Sequence, residues 1–175
     1  MRLPYLLSAT ALSLSICLPA SATTFPFMAT LSNVGEPIPT STGSGSALVV
    51  FDDALLTVSV NETFANLVSP ATVAHLHCCT TVAFTGSIGV ALGFTGFPTA
   101  QSGNYINSFT LTSASFSSLL AGTQAGQAYL NIHSAIYPGG VVRGFLVPVP
   151  EPATYALMLG GLGLLGMAAT RRKQA

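Results

Sequence analysis

The chemistry this sequence could carry is concentrated in His75, His77 and His133, the three histidines of the chain. His75 and His77 are separated by Leu76, and on a strand residues two apart project to one face, so their imidazoles start as neighbours. His133 alternates with Tyr129 and Asn131 on the polar side of a second strand-like segment, Gln127 to His133. Ala128, Leu130 and Ile132 make up its apolar side. Two imidazoles from one strand and a third from a neighbour form a donor set suited to Zn²⁺ or copper. The competing reading makes each an ordinary half-buried histidine that hydrogen-bonds a strand end and packs beside Tyr129. A fourth ligand would have to come from Glu62, Asp52, Cys78 or Cys79.

Cys78 and Cys79 follow His77 directly, and Cys17 lies in the N-terminal apolar segment. Two body cysteines are no disulfide framework. They can form a vicinal disulfide, serve as two thiols beside the histidines, or divide into one buried and one exposed thiol. An oxidising compartment favours the disulfide, although chain neighbours lie closer than the usual Cα separation of a bridge. Catalytic signatures are missing: there is no G-x-S-x-G, no H-E-x-x-H and no phosphate-binding glycine loop. The expectation is a protein that is not an enzyme.

The elements that must hold these side chains read as short strands. Phe25 to Leu31 opens the body. Ala47 to Phe51 and Leu55 to Phe64 flank Asp52-Asp53-Ala54 as a hairpin. Glu62 falls in register with the apolar set of that second arm, so it sits at the strand's frayed end or points inward, and the cost of burying an unpaired carboxylate favours the frayed end. Thr72 to Cys79, a segment within Gly86 to Phe97, and Asn104 to Thr112 follow. Ser113 to Leu120 reads as one helix with Ser113 or Ser115 as N-cap and Gly122 closing it. Tyr137-Pro138-Gly139-Gly140 then reverses the chain into Val141 to Val147. About eight strands with little helix predict an all-β sandwich or barrel.

Charge narrows the partners. Only 6% of residues are charged, and mean hydropathy is +0.63, high for a soluble domain. Between Thr23 and Pro152 the sole basic residue, Arg143, stands against Glu36, Asp52, Asp53, Glu62 and Glu151. With no basic patch, nucleic acid is not an expected partner.

Both ends account for the excess hydropathy. Residues 1–22 read as a signal peptide: Arg2, an apolar run, and Ala20-Ser21-Ala22 as a small-x-small cleavage site at Ala20 and Ala22. Thr23 would then begin a domain running over 23–147. The tail, 148–175, holds Pro150-Glu151-Pro152, an uncharged run over 153–170, and Arg171-Arg172-Lys173. As a helix that run would span about 27 Å, close to a bilayer core, with the basic cluster on the cytoplasmic side. The expected partners are therefore the export machinery and the membrane.

Two family resemblances follow from these residues. Tyr129-Leu130-Asn131-Ile132-His133, Pro138-Gly139-Gly140 and Arg143-Gly144 resemble the closing hairpin of a CHRD (chordin-type) domain. The opening strand, the Glu36-Pro37 loop and the glycine before the second strand are similar to the family's first half. The resemblance implies an immunoglobulin-like β fold distantly similar to copper/zinc superoxide dismutases. It also carries a His-x-His and an Asn-Ile-His onto His75, His77 and His133. The family's acidic residue after the two glycines is replaced by Val141, so an ion pair or ligand from that position is absent. From Val149 to Ala175 the tail resembles the PEP-CTERM sorting signal of Gram-negative bacteria. That implies recognition of Pro150, Glu151 and Pro152 by an exosortase, sorting to the cell surface, and association with extracellular polysaccharide. Together these point to an exported cell-envelope binding or structural module. The alternative is a histidine-ligated zinc or copper protein with superoxide-dismutase-like redox activity; a chordin-like signalling role would rest on fold analogy alone.

Overall fold

The computed structural model describes residues 23–36, 42–150 and 157–162. The expected signal peptide with Ala20 and Ala22, and Glu151, Pro152, Arg171, Arg172 and Lys173 of the tail, lie outside the described residues. So does most of the expected span 153–170. Residues 157–162 are helical and exposed, and no helix among the described residues is long and apolar enough to cross a membrane.

The body is mostly β, with nine strands and one helix. They are β1 (Thr24–Leu31), β2 (Ser44–Asp52), β3 (Thr57–Ala65), β4 (Ala71–His77), β5 (Val90–Gly93), β6 (Gly103–Thr110), α1 (Ser113–Gln124), β7 (Tyr129–Ser134), β8 (Val142–Phe145) and β9 (Val147–Pro148). Two antiparallel sheets result, one ordered β6-β3-β2-β1-β9 and the other β5-β4-β7-β8. Alternation does the sorting: Val49, Phe51, Val58 and Val60 from the first sheet join Leu76, Leu130, Ile132 and Val142 from the second in one core. The β2–β3 turn closes as its sequence demands, since Asp52 Oδ1 accepts from the backbone N–H groups of Ala54 and Leu55. Leu56, which falls within the expected arm Leu55 to Phe64, belongs instead to that turn with φ at +52°.

Three expectations are corrected. The segment Val141 to Val147 is not one strand: β8 lies in the four-stranded sheet and β9 in the other, with fully buried Leu146 at the crossing. Pro148 is tolerated because β9 is an edge strand. The helix does not stop at Gly122. Thr112, not Ser113 or Ser115, caps it by accepting from Ser115 N, and it runs on to Gln124; Gly122 is small because it lies against the Cys78 and Cys79 sulfurs, where a Cβ would collide. Glu62 is not at a frayed end. β3 continues to Ala65, so alternation carries the carboxyl inward between Val60 and Phe64, fully buried and with neither oxygen partnered among the described residues. Burial pushes its pKa up to about 8, so it is held as the neutral acid at pH 7.

One glycine is fixed by close approach. At Gly144 a Cβ would strike the Thr30 carbonyl, because Ser32 and Arg143 exchange backbone hydrogen bonds of 2.9 and 2.8 Å that tie the end of β1 to β8.

Candidate metal centre

The outer face of the four-stranded sheet, turned away from the core, holds the three histidines. In β4 Ala74 and Leu76 point inward, leaving His75 and His77 on the other side; in β7 Leu130 and Ile132 point inward, leaving Tyr129, Asn131 and His133. The register sets His77 opposite Tyr129, His75 opposite Asn131 and Val73 opposite His133. His133 is thus a diagonal neighbour of His75, and their ring centroids lie 4.8 Å apart. The His75–His77 and His77–His133 centroids are 5.6 and 5.7 Å apart. One nitrogen from each ring lies within 4.8 Å of the other two.

Backbone carbonyls fix the tautomers of two of the rings. His77 Nδ1 lies 2.8 Å from the Ile88 oxygen and His133 Nδ1 2.9 Å from the Pro138 oxygen. A carbonyl only accepts, so each Nδ1 carries the proton and each Nε2 keeps its lone pair. Those two Nε2 atoms and His75 Nδ1 are buried and have no hydrogen-bond partner among the described residues. Three unpartnered imidazole nitrogens thus face one another, and backbone carbonyls orient two of the three rings.

Electrostatics holds the rings neutral, the form that ligates. Burial lowers the pKa of all three. His75 is pushed down further by its two histidine neighbours. For His77 the hydrogen bonds that the ring donates to the backbone at Ile88 and Gly89 oppose the burial effect in part, and nearby Arg143 adds to it. His133 is opposed by the Pro138 contact and lowered by His77 and Arg143.

The walls come from loops that the sequence marked only as breakers. The Pro138-Gly139-Gly140 turn presents the Pro138 carbonyl to His133, and the segment before β5 presents Ile88 to His77. Tyr129 stacks on His77 at 4.8 Å with 3° between the ring planes, and its hydroxyl lies 3.2 Å from Ile88 N. Arg143, on the β8 side of Tyr129, sits 5.0 Å from the centroid of that ring. Its Nε donates to Glu36 Oε1, and the Glu36 side chain is wholly buried. Val141 supplies no ion pair, as expected, but Arg143 finds its carboxylate in Glu36. No spacing pattern marks that residue, which lies in a loop far upstream.

None of the four candidates for a fourth ligand joins the cluster. Glu62 faces the core from the other sheet, Asp52 caps the β2–β3 turn, and Cys78 and Cys79 are disulfide-bonded to each other across a cis peptide. Among the described residues the set is His75, His77 and His133, and a fourth position would be left to water or an outside ligand.

Comparison with known families agrees with this architecture. The model of the CHRD domain matches residues 27–146, and that of the PEP-CTERM protein-sorting motif matches residues 148–173. No curated protein and no solved structure matches the chain. With most of its length covered by the first match and its C-terminal segment by the second, the chain belongs to the CHRD domain family and carries a PEP-CTERM sorting motif.

Proposed function

We propose that this exosortase-sorted extracellular module is a non-enzymatic metal-binding domain of immunoglobulin-like build, holding one Zn²⁺ or Cu²⁺ on His75, His77 and His133. The single observation that carries the reading is the convergence of three buried, unpartnered imidazole nitrogens, two of them oriented by backbone carbonyls. Leaving such atoms unpaired costs stability, and a metal ion satisfies all three at once. When bound, the ion would add its binding energy to folding and polarise whatever fills its fourth position.

The finer biology is part of the same proposal. The segment 153–170 anchors the precursor in the membrane until the exosortase acts at Pro150-Glu151-Pro152, and the sorted domain then resides in a polysaccharide matrix. Alanine replacement of the three motif residues should leave an anchored precursor, and surface release equal to wild type would sink that step.

The test of the centre is metal content. The full chain, purified without chelator, should carry close to one equivalent of zinc or copper, and His133→Ala should carry none. A chain that folds, yet takes up neither ion when either is supplied, overturns the reading. The open fourth position also favours a second reading, copper redox chemistry; superoxide loss above that of the His133→Ala variant, in copper-loaded protein, would select it.

A further inference from the structure

On the far side of Tyr129 from His77, a cleft of about 490 Å³ opens against Arg143, walled by Phe84 and Phe145 and edged by the hydroxyls of Ser32, Thr85 and Ser87. We propose that this cleft binds a carboxylated sugar ring, a uronate, with the carboxylate on Arg143 and the flat C–H face of the ring on Phe84. The inference gives the proposed matrix association a site and rests on that association only for its biological setting. It is independent of the metal.

The guanidinium is placed and incompletely used. Of its five N–H groups, Nε goes to Glu36 and Nη1 to the Gly86 carbonyl and Ser87 Oγ, both at 3.1 Å. No hydrogen bond from Nη2 occurs among the described residues. Glu36 sits on the edge that Nε–H shares with one Nη2–H and holds the plane in place, which leaves the outer Nη2–H as the donor for a ligand. Ser87 Oγ accepts from Arg143 and so has its own proton to donate. A carboxylate bridging Nη2 and Ser87 would receive charge-assisted hydrogen bonds from a donor pair already in position.

Phe84 is the second, independent observation. Its φ is +58°, a left-handed backbone that a bulky side chain rarely adopts, yet the ring is 55% exposed. It lies over Gly126, where a Cβ would come within 2.6 Å of Cζ, and meets Phe145 edge-on at 6.2 Å. A costly conformation that presents an aromatic face to solvent points to use of that face. Gly126, itself at φ +71°, leaves room for it. An exposed aromatic face, three hydroxyls and one forked cation match a polyhydroxylated ring with one carboxylate. A densely charged polyanion does not fit, because Arg143 is the sole cation of an otherwise acidic body.

The experiment is ligand-observed NMR titration of the full chain in detergent micelles with sodium glucuronate, glucose, acetate and benzoate. Glucuronate should bind at least about tenfold more tightly than glucose, which lacks the carboxylate, or acetate, which lacks the ring. Phe84→Gly removes the ring and relieves the positive φ, so it should fold as well as wild type and weaken glucuronate by about tenfold. Arg143→Lys, which keeps charge but loses the fork, should weaken it similarly. Equal binding of glucose or acetate, benzoate binding as tight as glucuronate, or indifference of both variants would overturn the proposal. Should glucuronate fail while sorted protein still co-fractionates with acidic matrix polysaccharide, the cleft assignment falls and the matrix association stands.

Discussion

Arg143 Nε lies 2.5 Å from Glu36 Oε1, although 107 positions separate the two residues. The pair props one wall of the histidine cluster. Through Nη1 the same guanidinium holds Gly86 and Ser87, the two residues before Ile88, whose carbonyl fixes the His77 tautomer. A contact between an early loop and the last hairpin thereby reaches a ring nitrogen on β4.

Breaking that pair should be felt in two ways. Glu36→Gln leaves Arg143 without its buried counter-charge, and unfolding by denaturant should show a loss of about 3 kcal/mol. Zn²⁺ affinity, measured by competition with a chromophoric chelator, should fall by about tenfold as the outer support of His77 loosens. Lost stability with unchanged affinity would mean that the pair braces the fold alone.

The histidines predict an acid-side dependence. Their folded pKa values lie below the ordinary value of 6.5, so the unfolded chain binds protons first as pH falls. The histidines' contribution to the stability of the metal-free protein is therefore full above that value and is lost as pH drops below it. His75→Gln/His77→Gln should flatten the decline in thermal melts taken between pH 7.5 and 5. Zn²⁺ should steepen it, because only the neutral rings ligate.

Glu62 predicts the opposite slope between pH 4.5 and about 8. With its folded pKa at about 8 against an ordinary value of 4.5, the folded state holds a proton that the unfolded state gives up. Stability from this group is full below pH 4.5 and is lost as pH rises toward 8, at about 1.4 kcal/mol per pH unit within the window. Glu62→Gln should remove that slope, and melts of the two proteins should diverge most above pH 8. Parallel curves would show that the carboxyl is not held neutral.

Gly122 predicts a coupling. Gly122→Ala sets a methyl against both sulfurs and should cost about 1–3 kcal/mol by overpacking. In a Cys78→Ala/Cys79→Ala background the same change should cost far less. Additive effects would show that the helix and the disulfide do not press on one another.

The parts of the site that repeat along the chain were legible in the sequence. His75 and His77 share a face because strand side chains alternate, and His133 falls opposite Leu130 and Ile132 for the same reason. The turn at Pro138-Gly139-Gly140 was equally plain. Its second role was not, because a backbone carbonyl aimed at an imidazole leaves no mark in residue type; Pro138 and Ile88 serve by position. Glu36 was hidden because a pair formed across 107 positions depends on tertiary approach. Glu62 misled because an energetic rule against burying carboxylates was set above the period of the strand, and the period prevailed. Gly122 misled in the other direction, since a residue that so often ends helices is here a place for another chain segment to pass.

The crossing at Leu146 has a mechanical consequence. Among the described residues just beyond it, the backbone is bonded through β9, by the pairs Phe27–Pro148 and Met28–Val147 and the bond from Val149 N to the Pro26 oxygen. Tension applied to the tail would therefore reach this short ladder on the five-stranded sheet, whereas the histidine cluster lies on the other sheet.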